Sequence, residues 1–164
     1  MEKETVADEK DKTSNVKKAF LLTGHRNWGK SYTLSDPAFA GKNRHIIING
    51  EYVVIIKMSN DDQKEWLLEA IKNYKDKSYL VIAFCCNFEE GFFTVEILET
   101  LKEYGYKVFS FVLKHQYNNP DNAVTNEEIE KLKKYATEEI YSVKKAKSDV
   151  RAIAFKEYLE KNIP

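Results

Sequence analysis

The sequence has little cysteine, and what it has is adjacent. Among its 164 residues only Cys85 and Cys86 carry thiols. Neighbouring residues of a strand point to opposite faces and rarely bridge to each other, so a disulfide between them is not expected. The sequence therefore predicts a cytoplasmic protein in a reducing environment, with neither structural disulfides nor a cysteine-based metal site.

Long apolar runs are also missing. The longest covers residues 79–86, which is eight residues, whereas a membrane-spanning helix needs about 20. The first residues are charged rather than apolar, so no secretory signal is visible and no membrane partner is expected. Residues 1–18 contain ten charged residues and no apolar period, which predicts a disordered polar leader.

Neither sign of charge is in excess. Lys and Arg together number 26, as do Asp and Glu, so the formal net charge is zero. Proteins that bind nucleic acid or anionic membranes over a broad surface need a positive field, so nucleic acid is not expected as a partner. The hydrophobic fraction of 43% is enough for one folded domain, predicted over residues 19–164.

Hydrophobic patterning predicts an α/β fold. Apolar strands alternate with amphipathic helices, and Asn49-Gly50 between β-branched runs predicts an antiparallel hairpin over about residues 44–58. The rest of the sheet should be parallel. The expected strands are residues 19–23, 45–48, 51–58, 79–86, 107–113 and 139–143, and the expected helices are 36–41, 62–74, 87–104, 125–135 and 148–162.

Four of the predicted helices carry start signals. Asp36 before Pro37 predicts a short helix that Gly41 would end. Asn87 with Glu90, and Thr125 with Glu128, have the spacing of capping boxes. Ser148 or Asp149 is expected to cap the last helix.

One loop carries the chemistry. Directly after the first predicted strand, the sequence fits G-x-x-x-x-G-K-[ST], a loop that cradles phosphates with backbone N–H groups and the following helix N-terminus. Lys30, expected near the surface of the cleft, should contact the β- and γ-phosphates, and the Ser31 hydroxyl should bind Mg²⁺. The candidate binding residues are Gly24, His25, Arg26, Asn27, Trp28, Gly29, Lys30, Ser31 and Tyr32.

A second Mg²⁺ ligand is expected at the end of a neighbouring strand. Asp61 and Asp62 follow the strand that ends near Met58, and Asp61 is the first choice because it lies nearer the strand. Both carboxylates could instead cap the following helix. Glu89 and Glu90, after another strand, are the competing pair.

The chain resembles small GTPase domains in the order of its elements over about residues 19–162. Its loop is also similar to the G-x-x-N-x-G-K-S form of translation-factor-class GTPases, with Asn27 at the matching place. The resemblance implies a three-layer P-loop NTPase sandwich that binds ATP or GTP with Mg²⁺. However, Asp61-Asp62-Gln63-Lys64 has no glycine where those GTPases carry D-x-x-G, so the chain resembles a divergent form of this pattern.

The guanine-binding N-K-x-D sequence is also missing at its expected place, although Asn118-Asn119-Pro120-Asp121 could substitute for it. After the strand that ends near Leu113, the chain has Lys114-His115-Gln116, and an amide discriminates bases poorly. Tyr117 could stack on any base. A basic cluster near the last helix, expected to be a solvated face, contains Lys144, Lys145, Lys147 and Arg151.

Three functions fit these residues. The first is slow Mg²⁺-dependent NTP hydrolysis or a nucleotide switch, in which a protein partner supplies a missing catalytic group. The second is a small-molecule kinase, although three arginines are few for a kinase lid. The third is a non-enzymatic nucleotide-binding or protein-interaction module. Trp28 could pack outward, cover a ligand or contact a partner.

Overall fold

The computed structural model of the protein describes residues 16–164 and contains one six-stranded sheet. The strand order is β2-β3-β4-β1-β5-β6, with β2 and β3 antiparallel and the other neighbours parallel. The predicted α/β sheet, mostly parallel with one antiparallel hairpin, is confirmed. The strands are β1 Lys18–Thr23, β2 His45–Ile48, β3 Glu51–Ile56, β4 Tyr79–Phe84, β5 Lys107–Leu113 and β6 Thr137–Tyr141.

Helices cover both faces of the sheet. Helices α1 and α5 pack on one face through an aromatic core that includes Phe20, Phe111 and Phe155. Helices α2, α3 and α4 pack on the other face through a mainly aliphatic core. The helices are α1 Lys30–Leu34, α2 Lys64–Asn73, α3 Thr94–Glu103, α4 Asn126–Lys133 and α5 Ser148–Asn162.

The strands follow from burial and turn chemistry. All six residues of β4 are buried, as expected for a strand with parallel neighbours and helices on both sides. The β2–β3 hairpin turns at Asn49 and Gly50, with φ angles of 51° and 80°. Two positive φ angles are what a two-residue hairpin turn requires, and Asn-Gly adopts them readily.

The predicted helix over residues 36–41 was wrong. The helix that follows the glycine loop begins earlier, at Lys30, and ends at Leu34. Asp36 Oδ1 accepts the Ala38 N–H at 2.9 Å, and the Asp36 carbonyl accepts the Gly41 N–H at 3.0 Å. This Asx turn satisfies the local amides and competes with a helix.

The proposed capping pairs had different outcomes. Thr125 and Glu128 form the predicted capping box at the start of α4. Asn87 and Glu90 do not, because α3 begins only at Thr94, and Asn87 Oδ1 accepts the Glu89 N–H at 2.9 Å in a turn. Helix α5 begins at Ser148 without a side-chain cap, and the Ser148 hydroxyl lies 3.1 Å from Asp36 Oδ2 instead.

The bounds of four strands differ from the prediction. Strands β3 and β4 each end two residues earlier than predicted, at Ile56 and Phe84. Strand β1 begins at Lys18, and the Lys17 carbonyl accepts the Lys107 N–H at 2.8 Å, so the predicted end of the leader is part of the folded domain. Residues 1–15 of the leader prediction lie outside the described residues. The last strand lies two residues earlier than predicted. Among the described residues, no helix is long and apolar enough to cross a membrane.

The topology gathers several loops at one edge of the sheet. The chain leaves β1 towards the β2–β3 side, returns to β4 beside β1, and then crosses to β5 on the other side of β1. Ligands of open parallel α/β sheets bind beyond the carboxyl ends of the strands, where connections diverge in this way. The loop after β1 lies at that point.

Candidate functional site

The loop between β1 and α1 has the backbone that its glycines predict. Gly29 precedes α1 with a φ of 83°, and Asn27 also has a positive φ, 65°. Only glycine adopts the first of these without strain, while asparagine tolerates the second. The Gly24 N–H donates to the Phe84 carbonyl at 3.0 Å, which ties the start of the loop to the end of β4.

Lys30 is buried at the base of this loop. Its ammonium donates to the carbonyls of Gly24 at 3.0 Å and His25 at 2.9 Å. Asp61 Oδ2 lies 3.6 Å from the same Nζ atom, and the two side chains are 5% and 2% exposed. The sequence placed Lys30 near the surface of the cleft; the structure instead makes it half of a buried ion pair.

One carboxylate oxygen of Asp61 is left without a hydrogen bond by the described residues. This atom, Oδ1, is buried and has no hydrogen-bond partner among residues 16–164. A buried polar atom without a partner costs free energy, so such an atom calls for a specific explanation. The side chain lines a cavity of about 140 Å³ whose walls are Asn27, Trp28, Gly29, Lys30, Ser31, Tyr32, Asp61 and Asp62.

Asp61 reaches Lys30 from a strand that is not next to β1. It follows β3, and β4 lies between β3 and β1. The expectation that the carboxylate would come from an adjacent strand was therefore wrong. The segment after β3 lies beside the start of α1, where the Ser31 hydroxyl donates to the Lys57 carbonyl at 3.2 Å.

Asn60 holds Asp61 in place. Its Nδ2 atom donates to the carbonyls of Cys85 and Phe92, both at 3.0 Å, and its Oδ1 accepts the Cys85 N–H at 2.7 Å. This buried amide links the segment after β3 to the segment after β4. The sequence analysis missed Asn60, because a single asparagine in a polar turn carries no distinctive signal.

Asp62 lines the same cavity but is mostly exposed, and the competing glutamates lie elsewhere. The Asp62 side chain is 57% exposed and lies 3.9 Å from Arg26, an ion pair of small energetic value. Glu89 and Glu90 are exposed, and neither lines the cavity beside Lys30. Of the four candidate carboxylates, Asp61 has the most buried and best-directed position.

A larger cavity of about 460 Å³ adjoins the smaller one. The two share Asn27, Trp28, Gly29 and Tyr32. None of the residues that line the larger cavity is Asp or Glu. Its other walls are Thr33, Tyr117, Asn118, Ala146, Lys147, Ser148 and Arg151.

Two residues lie differently from their predicted positions. Trp28 does not pack outward but is buried, 6% exposed, with its ring 5.1 Å from that of His25 in an edge-on contact. Gln116 does not line the larger cavity; its Oε1 accepts a hydrogen bond from Asn122 within its own loop. Tyr117 and Asn118 line the cavity instead.

Arg151 is a functional candidate that the sequence analysis assigned to a solvated face. It is 3% exposed and donates to the Trp28 carbonyl at 2.5 Å and the His115 carbonyl at 2.8 Å. Its Nε atom is buried and finds no hydrogen-bond partner among the described residues, and burial lowers the pKa of the guanidinium. The nearby lysines masked this difference, since the sequence shows only that the cluster is basic.

No protein-family model matches the chain, and no curated protein sequence matches it. A match among solved structures is the solution NMR structure of a de novo designed P-loop 2×3 fold protein. It is 17% identical, with a TM-score of 0.48, and the alignment covers 88% of this chain and 92% of the designed protein.

Proposed function

We infer that the protein is a P-loop nucleoside-triphosphate-binding domain, with its triphosphate at the Lys30–Asp61 pair. The observation that carries this proposal is the buried pair itself, 3.6 Å apart, at the base of a glycine loop. A lysine and a carboxylate so placed match the two needs of a magnesium–phosphate ligand, a cation for phosphate and an oxygen for the metal.

The phosphate group fits the loop over residues 24–31. Positive φ angles at Asn27 and Gly29 curve the backbone in front of α1, and consecutive amides in such a curve can form an anion-binding concavity. Lys30 donates to two loop carbonyls. A phosphate oxygen would offer this ammonium a charged acceptor, which makes a stronger hydrogen bond than a carbonyl does.

Mg²⁺ fits the same cavity. Asp61 Oδ1 is a buried carboxylate oxygen without a hydrogen-bond partner in the described part of the chain, and oxygen is the ligand that Mg²⁺ prefers. We assign Asp61 and Ser31 as its ligands, with Asp62 as the outer alternative that the sequence left open. When bound, the metal neutralises phosphate charge. The chain's own residues hold the phosphates and orient them.

The larger cavity suits the nucleoside. It continues from the phosphate cavity through four shared residues, and its volume of about 460 Å³ lies in the range of small-molecule sites. Tyr117 provides an aromatic face for stacking. Because Asp and Glu are absent from its lining, the proposed site has no carboxylate with which to select guanine.

Turnover is expected to be slow. Beyond Asp61 and Asp62, the residues lining the two cavities offer no carboxylate or histidine that could orient a water. A switch, or a hydrolase completed by a protein partner, therefore fits better than a fast enzyme. The arginine positions give the kinase hypothesis no support, since Arg26 is exposed, Arg44 lines another cavity and Arg151 is buried.

Equilibrium binding of ATP, GTP and their diphosphates, each with and without Mg²⁺, tests the proposal. We expect Mg²⁺ to strengthen triphosphate binding, and inorganic tripolyphosphate to compete for the site. Turnover is measured in parallel, with and without small-molecule acceptors. Failure of every nucleotide and of tripolyphosphate to bind would refute the proposal, and rapid transfer to an acceptor would establish the kinase instead.

A further inference from the structure

Three side chains with metal-binding atoms meet beside the glycine loop. His25 comes from the loop after β1, Cys86 from the segment after β4, and Glu128 from the first turn of α4. His25 Nε2 lies 3.0 Å from Glu128 Oε1 and 4.0 Å from Cys86 Sγ. All three ligand atoms lie within 4.8 Å of one another.

Each donor is held by its own element. Cys86 is fully buried behind the end of β4. Glu128 Oε1 accepts hydrogen bonds from the Thr125 N–H at 2.9 Å and the Thr125 hydroxyl at 3.1 Å, so the capping box orients the carboxylate. The His25 ring packs edge-on against Trp28. Hydrogen-bonding and packing partners of this kind fix the orientation of metal ligands.

We propose that His25, Cys86 and Glu128 form a binding site for a borderline-soft divalent cation of the Zn²⁺ class. Sulfur, imidazole nitrogen and carboxylate oxygen are the three ligand types of zinc sites. Tetrahedral zinc, about 2.0–2.3 Å from its ligands, keeps them roughly 3.3–3.7 Å apart. Two of the observed separations, 3.0 and 4.0 Å, lie on either side of that range, and the third is within 4.8 Å, so side-chain movements of up to about 1 Å bring the three donors into range.

The charges and exposure suit a metal with one open position. Two anionic ligands, the Cys86 thiolate and the Glu128 carboxylate, balance a divalent cation, and neutral His25 completes three protein ligands. His25 and Glu128 side chains are about a fifth exposed, so a water has access to the fourth position. Mg²⁺ does not fit, because it requires oxygen ligands in near-octahedral geometry.

The site would act on the glycine loop directly. The backbone carbonyl of His25 accepts a hydrogen bond from Lys30, and its side chain would ligate the metal. Bound metal would therefore fix one end of the loop over residues 24–31 and join it to β4 and α4. The sequence alone could not indicate this metal site, because its three ligands are 61, 42 and 103 residues apart along the chain.

The test is a titration of the metal-free full chain with Co²⁺ and then Zn²⁺, without nucleotide, under a non-thiol reductant and with excess Mg²⁺. We expect one Co²⁺ per chain, a thiolate-to-cobalt charge-transfer band in the near ultraviolet, and displacement by Zn²⁺. Omitting nucleotide keeps this result separate from the proposed function, which can fail while metal binding persists.

The adjacent thiol provides a matched control. Cys86→Ser should abolish the charge-transfer band and weaken metal binding at least about tenfold, because losing even a group that only orients a metal ligand has an effect of that size. Cys85→Ser should keep both the band and the metal affinity. Glu128→Gln retains the ability to form a capping box and should also weaken binding. Equal behaviour of the two serine variants, or no charge-transfer band in the wild type, would overturn the proposal. Should Cys86→Ser fail to fold, His25→Gln and Glu128→Gln decide it, and unchanged Zn²⁺ affinity in both refutes the site.

Discussion

Arg151 Nη1 donates a hydrogen bond to the carbonyl oxygen of Trp28 at 2.5 Å, and through it α5 holds the turn that precedes Lys30. The Nη2 atom of the same side chain donates to the His115 carbonyl at 2.8 Å. One buried guanidinium therefore connects the glycine loop to the segment that leads to Tyr117. The two cavities therefore share Arg151 as a support for their loops, in addition to the residues that line both of them.

Replacing Arg151 should lower the free energy of unfolding and weaken ligand binding. Arg151→Met removes two hydrogen bonds from a charged donor to buried carbonyls, so we expect the free energy of unfolding to fall by about 1–3 kcal/mol. The free energy of unfolding of Arg151→Lys should lie between those of the wild type and Arg151→Met, because an ammonium lacks the planar fork with which the guanidinium makes both hydrogen bonds. Urea unfolding measures the effect. As a stability control, Arg26→Met removes an exposed arginine and should change stability by less than about 0.5 kcal/mol; equal losses in both methionine variants would contradict this role.

Replacing Lys30 should separate stability from binding. The sequence analysis expected Lys30 near the surface of the cleft, where its replacement by alanine would leave the fold intact, but the structure buries Lys30 against Asp61. Lys30→Met should therefore weaken triphosphate binding at least about tenfold and also lower stability by about 2–4 kcal/mol, because a buried carboxylate loses its counter-charge. The double variant Lys30→Met/Asp61→Asn should regain stability without regaining binding. Full binding by Lys30→Met would show that phosphate binds elsewhere.

The two aspartates should differ in their effect on metal dependence. Asp61→Asn removes the charge from a buried side chain that faces the cavity, so it should reduce Mg²⁺-dependent binding more than metal-free binding. Asp62→Asn changes a side chain that is mostly exposed and should have a smaller effect. Calorimetry with and without Mg²⁺ makes the comparison. Negligible changes from both substitutions would assign the metal to another carboxylate.

Base discrimination should be weak. Because the lining of the larger cavity contains no carboxylate, we expect ATP and GTP affinities to agree within about tenfold, or roughly 1.4 kcal/mol. Tyr117→Ala should weaken both nucleotides to a similar extent, since stacking tolerates either base. Competition at matched Mg²⁺ measures the ratio. A GTP preference of several hundredfold would mean that a carboxylate outside the lining, such as Asp121, moves in to contact the base.

Local patterns in the sequence predicted local structure well. Asn49-Gly50 formed the hairpin turn and Thr125 with Glu128 formed the capping box, because in both cases the residues that interact are close neighbours in the chain. The same dependence on neighbouring residues explains the two helix caps that were predicted wrongly. Asp36 and Asn87 carry the right side chains for helix caps, but each accepts an amide two residues ahead and makes a turn.

The sequence by itself determined the α/β alternation, the glycine loop and the identity of Lys30 and Ser31, because periodicity and a contiguous motif involve only neighbouring residues. The sequence ranked Asp61 first among four carboxylates, and tertiary structure placed it against Lys30 past an intervening strand. Tertiary structure alone decided which cation supports the loop, since Arg151 lies 123 residues from Trp28. It also brought His25, Cys86 and Glu128 together. These meetings depend on the strand order, which places distant segments at one edge of the sheet and leaves no trace in local sequence.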